Sequence, residues 1–495
     1  MSVPLKVIED IIDASGIAPV IEDMLPAGVR GRQLSARTLF TGMMAALADG
    51  RPAHLTRVLQ ALITLPGADQ RRLGVVTARQ DGPHQLTYRQ VEHTFRLITR
   101  ALSKTQPDGA PSDQLQRACD QLLEASIPGR VKAASTSLAA DWTDVEAWAR
   151  PVAHNAAGTG ADPEAAWGHR NVNLKIARGE MFYGYYYSAV TMVNDENGPA
   201  VPELTRRITI TSCAADPAAA LASVLTSMPA AGLALGDILA DSGYSHRIPA
   251  TWASPLRAAG ASLVVDLHPS DRGPRGTHEG AIIASGNLYC PCTPAGLLQL
   301  VPLPPGAGAA DVAVHDQQTA ELARYKLGLH TAEDADGYRR HACPATAGKL
   351  RCPLRPASMT LSRDRPEILA PPGHPPACCT RQTITAGPQI AEKTRQKHHY
   401  PSAAWRQSYR RRTAAERLNA IKDTATTSIG RGWIRLTGLT PLMLSLTCLT
   451  AVRNQRILNA FDNRQGDSTQ RAAGQPPKTR SRRRREPAGA TPAPP

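Results

Sequence analysis

Tyr409-Arg-Arg-Arg-Thr-Ala-Ala-Glu-Arg-Leu-Asn-Ala-Ile-Lys422 is short, basic and composed almost wholly of good helix formers. If it is helical, Tyr409, Arg412, Glu416 and Asn419 recur at three and four residues and project from nearly one face. That face sets one carboxylate among cations. Solvated helices carry such mixtures for a few tenths of a kcal/mol, so the stretch acquires meaning only if partners exist elsewhere in the chain.

Two partners stand upstream, Asp141 in Ser-Leu-Ala-Ala-Asp-Trp-Thr-Asp and Asp241 in Gly-Asp-Ile-Leu-Ala-Asp-Ser-Gly-Tyr. Each follows a short apolar run. A carboxylate just past a buried strand lies at the sheet's carboxyl edge, where open α/β sheets gather ligands. Asp144, Glu146 and Asp266 compete for the same part. Asp141 is preferred because it follows its apolar run directly, whereas Asp144 suits the cap of a helix carrying Val145 and Trp148. Asp266 reads as an ordinary strand-end carboxylate, and Asp237 precedes its strand.

Asp241-x-Gly243-Tyr244 together with Tyr409-x-x-Arg412-x-x-x-Glu416 resembles the DDE transposases of bacterial insertion sequences. The resemblance spans about Ser135 to Phe461, and includes the weaker block Asp162-Pro-Glu-Ala and the aromatic run Phe182-Tyr-Gly-Tyr. One departure is visible. The family places Lys seven residues after Glu, but here Lys422 is six after, and Asp423 holds the expected position.

The resemblance implies an α/β fold with a ribonuclease-H-like core and a catalytic trio of Asp141, Asp241 and Glu416. It implies that these carboxylates hold two Mg²⁺ or Mn²⁺ ions, and that Tyr409, Arg412 and Lys422 contact DNA. Hard oxygen ligands favour such ions, which clamp the attacking and leaving oxygens in phosphodiester transfer. The implied partners are the element's terminal inverted repeats and target DNA, bound by a homodimer assembled on the ends. Two other readings stay open: a noncatalytic DNA-binding protein derived from such an enzyme, for which the displaced Lys422 speaks, and a ribonuclease-H-like nuclease that cuts without joining.

The element order around the aspartates agrees. Met181 to Val193 and Ile208-Thr-Ile-Thr read as strands, and Asp216-Pro-Ala-Ala reads as a helix start with Asp as N-cap and Pro at the first position. Leu235 to Ala240 makes a strand, Pro249 to Ala259 a helix, and Leu263-Val-Val-Asp-Leu a last strand.

Five regions follow: residues 1–128, an all-helical domain with periodic apolar residues at Leu39, Phe40, Met43, Met44 and Leu47; 129–269, the first part of the core; 270–400, an insertion rich in Pro and Gly; 401–462, the completion of the core; and 463–495, a basic disordered tail. Arg30, Arg32 and Arg37 are placed to meet DNA phosphates on the first domain. In the insertion, Cys290, Cys292, Cys343, Cys352, Cys378 and Cys379 are candidate ligands for a structural Zn²⁺, although C-x-C, C-x8-C and C-C depart from the usual knuckle spacing. The alternative is reduced, partly buried thiols.

Across all 495 residues, 57 Lys and Arg against 42 Asp and Glu give a formal charge of +15, which favours a polyanionic partner. No signal peptide or membrane span is expected, so the expected location is the cytoplasm, with the nucleoid.

Overall fold

The computed structural model describes residues 3–26, 34–52, 54–79, 82–103, 109–151, 160–170, 181–419 and 428–472. Its centre is a six-stranded mixed sheet. The strands are β1 (Leu138–Glu146), β2 (Ala166–His169), β3 (Met181–Met192), β4 (Thr205–Ser212), β5 (Asp237–Ala240) and β6 (Ser262–Val265). β1 pairs with β3 antiparallel and with β5 parallel, and β5 pairs with β6 parallel. β2 and β4 share the other edge of the long β3, β2 along Met181–Gly184 and β4 along Tyr185–Thr191.

The period-2 alternation of β3 explains why nearly all of it is buried. Tyr183, Tyr185, Tyr187 and Ala189 face one apolar cluster, while Val190 and Met192 belong to another on the opposite side. Helices cover both faces. β3 also lies very close to its neighbour at one point: a Cβ on Gly184 would come 2.1 Å from the carbonyl oxygen of Val145, so only glycine fits beside β1 there.

β1 is longer than the sequence suggests. It continues through Glu146, so Asp141 lies within the strand, opposite Ala189, and Asp144 caps no helix. Pairing against the long aromatic β3 outweighs the local helix signal of Asp144, Val145 and Trp148. The start at Asp216 is as expected: its side chain accepts from Ala218 N–H, and Pro217 opens α1 (Pro217–Thr226). The stretch after Pro249 divides into a 3₁₀ turn and the short helix Ala253–Ala258.

The N-terminal region is not all-helical. Val76–Arg79 and Gly82–Gln85 form a hairpin between its helices. Nor does it have a core of its own, since Phe40, Met44 and Leu122 share one continuous apolar cluster with Val145, Tyr187, Ile210 and Leu446. Leu446 belongs to the long helix Leu439–Ala472, which carries the chain past residue 463, where disorder is expected from the sequence. Residues 473–495 lie outside the described part.

The insertion holds more order than its composition announces. It contains two three-stranded antiparallel sheets and the helix Ala309–Tyr325, whose inward residues are only His315, Thr319, Leu322 and Tyr325. Most of its apolar residues are not among them, so the sequence has no periodic signal to read. None of the helices among the described residues is long and apolar enough to cross a membrane.

Candidate active site

Asp241 is the first residue beyond β5 and the N-cap of the short helix α2 (Ser242–Ser245), accepting from Gly243 N–H at 2.9 Å. Packing explains the Asp-Ser-Gly-Tyr sequence. A Cβ on Gly243 would meet the Trp142 ring at 2.9 Å, and the fully buried Tyr244 fills the space between the rings of Trp142, at 4.3 Å, and Trp252, at 4.5 Å. Since Trp142 follows Asp141 in β1, this aromatic stack fixes the end of β5 against the strand that carries Asp141.

The third contribution comes from a helical run in three pieces: α3 (Ala403–Tyr409), a 3₁₀ turn at Arg410–Arg412, and α4 (Thr413–Asn419). The sequence predicts one uninterrupted helix here. The tightened turn coincides with Arg411, whose guanidinium donates to Ser408 Oγ at 2.6 Å, to Asn194 O at 3.0 Å and to Asp237 Oδ2 at 2.7 Å. Asp237 also accepts from Lys397 Nζ at 3.0 Å. Asp237 does not precede its strand but opens it, paired with Ser262, and is a buried anchor that ties the run to the sheet.

Held in this way, Tyr409, Arg412 and Glu416 do share a face. The Arg412 guanidinium lies 5.7 Å from the Tyr409 ring centre, and its Nη2 donates to Glu416 Oε1 at 2.9 Å. Its Nη1 stands 3.7 Å from Asp141 Oδ2, buried and without a hydrogen-bond partner. Tyr409 is itself stacked on Trp405 at 4.8 Å. Burial works to lower the Arg412 pKa, but Tyr409, Asp141, Asp241 and Glu416 around it more than offset this and raise it.

Asp141 and Glu416 therefore meet at one guanidinium from sequence positions far apart, and Asp241 adds its charge to the same group. They do not form a single shell: among the described residues, these three carboxylates do not all lie within 4.8 Å of one another. Arg412 stands between Asp141 and Glu416. All three are oxygen donors of the kind that suits Mg²⁺ or Mn²⁺. Glu416 is largely exposed and on the helix surface, free to turn toward the aspartates once Arg412 has another partner.

The competing acids are already engaged. Asp144 and Glu146 both bind Arg170, the former at 2.9 Å. Asp266 accepts from Tyr400 Oη at 2.8 Å and lies 3.2 Å from Arg272. The Asp162-Pro-Glu block turns out to cap the long C-terminal helix: Asp162 accepts from Gly438 N–H and Glu164 from Leu439 N–H, at 2.9 and 2.8 Å. Carboxylates at a helix N-terminus are stabilised by its unpaired N–H groups. Lys422 lies outside the described residues, as do Arg30 and Arg32. Arg37 is paired with Asp13 and Glu9, not held open toward solvent.

The insertion's cysteines collect in two apolar clusters, with Cys290, Cys292, Cys343 and Cys352 in or against one and Cys378 and Cys379 in the other. Burial pushes the Cys290, Cys292 and Cys352 thiols up. A hydrogen bond from Cys378 brings Cys379 down to about 7. Among the described residues no three of these thiols converge to within 4.8 Å. Cys290, Cys292 and Cys352 are thus protonated thiols, whereas Cys379 is held nearer its thiolate.

The chain matches no family model, no curated protein and no solved structure.

Proposed function

We infer that this protein is a DDE transposase: a metal-dependent enzyme that cuts DNA at the ends of an insertion sequence and joins them to target DNA. The convergence of Asp141, Asp241 and Glu416 around Arg412 carries the reading. The sheet supports it. With the short β2 left aside, the strands run β4-β3-β1-β5-β6, antiparallel on one side of β1 and parallel on the other, an order compatible with a ribonuclease-H-like core. The +15 formal charge suits a phosphate-rich partner.

Asp141, Asp241 and Glu416 would hold two Mg²⁺ or Mn²⁺ ions, whose chemistry is to lower the pKa of a bound hydroxyl and neutralise charge on a phosphate. The chain's own residues supply the rest. Arg412 offers a desolvated Nη1 with no hydrogen-bond partner, a donor that a phosphate oxygen would satisfy with the paired geometry of a guanidinium. Tyr409 and Trp405 stack beneath it and keep the fork from collapsing toward solvent. Arg411 and Asp237 fix the turn that aims both. A DNA phosphate drawing Arg412 away would release the carboxylates for their cations. A pair of element ends calls for a pair of protomers, and a dimer formed on DNA is part of this proposal.

One observation favours the noncatalytic reading, namely that Arg412 stands between Asp141 and Glu416. The deciding assay is nicking of DNA carrying the element's own ends by the full-length chain with Mg²⁺ or Mn²⁺. Cleavage is expected, and Asp141→Asn, Asp241→Asn and Glu416→Gln should each abolish it while leaving DNA binding intact. Wild-type protein that binds the ends yet cuts with neither metal would hand the argument to the noncatalytic reading.

A further inference from the structure

A second group of ligand atoms lies beyond the carboxylate cluster. His246 follows α2, His268 follows β6, and Asp271 ends the 3₁₀ turn Pro269–Asp271. One ligand atom from each lies within 4.8 Å of the others. The two imidazole rings are 4.1 Å apart at 37°, and His246 Nδ1 is 3.6 Å from Asp271 Oδ2. We propose that His246, His268 and Asp271 form a binding site for a borderline transition ion of the Zn²⁺ type, clamping the helix that begins at Asp241 to the entrance of the insertion.

The donor set argues for the class of ion. Two imidazoles and one carboxylate suit zinc and its neighbours, whereas Mg²⁺ and Ca²⁺ prefer all-oxygen ligands. Bonds of about 2.0–2.2 Å would bring such ligand atoms to about 3–3.5 Å from one another, so a closure of about 1 Å is required. The side chain of His246 is 55% exposed and can make that movement. His268 is already oriented. Its Nδ1 accepts from Ser270 N–H at 3.2 Å and lies 2.6 Å from Ser270 Oγ, so the ring is held in place before any ion arrives, as second-shell hydrogen bonds hold metal-bound imidazoles.

The counter-charge now in place is Lys393, from the far end of the insertion, with Nζ 2.8 Å from Asp271 Oδ2. An ammonium ion there both marks the position as one that accepts a cation and competes for it. The metal and Lys393 are thus alternative partners of the same carboxylate. This inference does not rest on the transposase reading, because none of the three ligands belongs to the Asp141, Asp241 and Glu416 group.

The test uses full-length protein stripped with a chelator and titrated with ZnCl₂, then with CoCl₂ as a visible probe. A nitrogen and oxygen site shows cobalt d–d bands without the thiolate charge-transfer bands that the insertion's cysteines would give. Wild type is expected to bind one such equivalent, lost in His246→Gln and in Asp271→Asn. Lys393→Gln should bind it more tightly, by about tenfold, the effect of about 1.4 kcal/mol of removed competition. The metal-free melting temperature of His246→Gln serves as the fold control, since that side chain stands largely in solvent. Equal stoichiometry in wild type, His246→Gln and Asp271→Asn, or an affinity unmoved by Lys393→Gln, would overturn the proposal.

Discussion

Arg412 Nη1 lies 3.7 Å from Asp141 Oδ2, too far for a hydrogen bond and too buried for water to replace one. An arginine in that state is poised between two partners. It is attracted by the carboxylates, and it lacks the acceptor that a phosphate would bring.

Arg412→Ala should therefore weaken binding of cleavage-ready DNA and reduce the slope of log K against log salt by about one, as for one lost phosphate contact. Arg412→Lys keeps the charge but not the fork, and should restore the slope without restoring full affinity. Fluorescence anisotropy across a salt series reads both, and an unchanged slope in the alanine variant returns Arg412 to a purely structural role.

Asp237→Ala removes the carboxylate shared by Arg411 and Lys397 and leaves a buried guanidinium unpaired. Truncating one partner of a buried pair costs about 3–5 kcal/mol. Urea denaturation should show a loss of this order, and the double variant Asp237→Leu with Arg411→Met should recover much of it. If the single variant melts like wild type, the tie between α4 and the sheet is not what holds the tightened turn.

Gly184→Ala would drive a methyl group into the backbone of β1, at 2.1 Å from Val145 O and 2.8 Å from Ala147 N. Backbone on both sides leaves nothing flexible to give way, so a loss of about 3 kcal/mol or more is expected. A circular dichroism melt would show it, and a neutral result would mean that β1 and β3 part more readily than their pairing suggests.

His399 is half-buried beside Tyr289, 2.7 Å from its hydroxyl, and desolvation lowers its pKa from 6.5 to about 3. A base held neutral in the fold but protonated when unfolded supports the native state fully above about pH 6.5. That support falls away as pH drops from there toward 3, by up to about 1.4 kcal/mol per pH unit. His341, pushed down to about 4 by burial, acts in the same direction. The midpoint of urea unfolding should decline over this window, and His399→Gln should decline less steeply than wild type.

What the sequence discloses here depends on whether a residue's partners are close along the chain. The Tyr409, Arg412 and Glu416 face is readable because helical geometry makes it local, and the Asp216 cap because it is set by the next two residues. Asp241 is readable because its strand is short and apolar. The extent of β1 is not, since it depends on pairing with residues about 40 positions later. Asp237 is invisible for the same reason: Arg411 and Lys397 reach it only after the insertion has been folded away. A run of three arginines gives no sign that the middle one turns inward. The hairpin at Val76–Gln85 escapes notice because it carries too few apolar residues to set a period, and the helix Ala309–Tyr325 because its apolar residues do not repeat along the one face that is buried.

The long C-terminal helix has a consequence for how the chain is made. Arg456 donates to the carbonyls of Leu47 and Ala48, Asn454 to Ser126 Oγ and Thr205 O, and Gln455 to Ser126 O, so a segment synthesised last closes contacts with segments synthesised first. A nascent chain that has left the ribosome only as far as residue 400 exposes one apolar face of its sheet and has no Glu416. Fold and trio are thus completed in the same late step. A translation product cut short before that point has neither a finished core nor a full set of carboxylates, and its exposed apolar surface makes it a substrate for the cell's proteases.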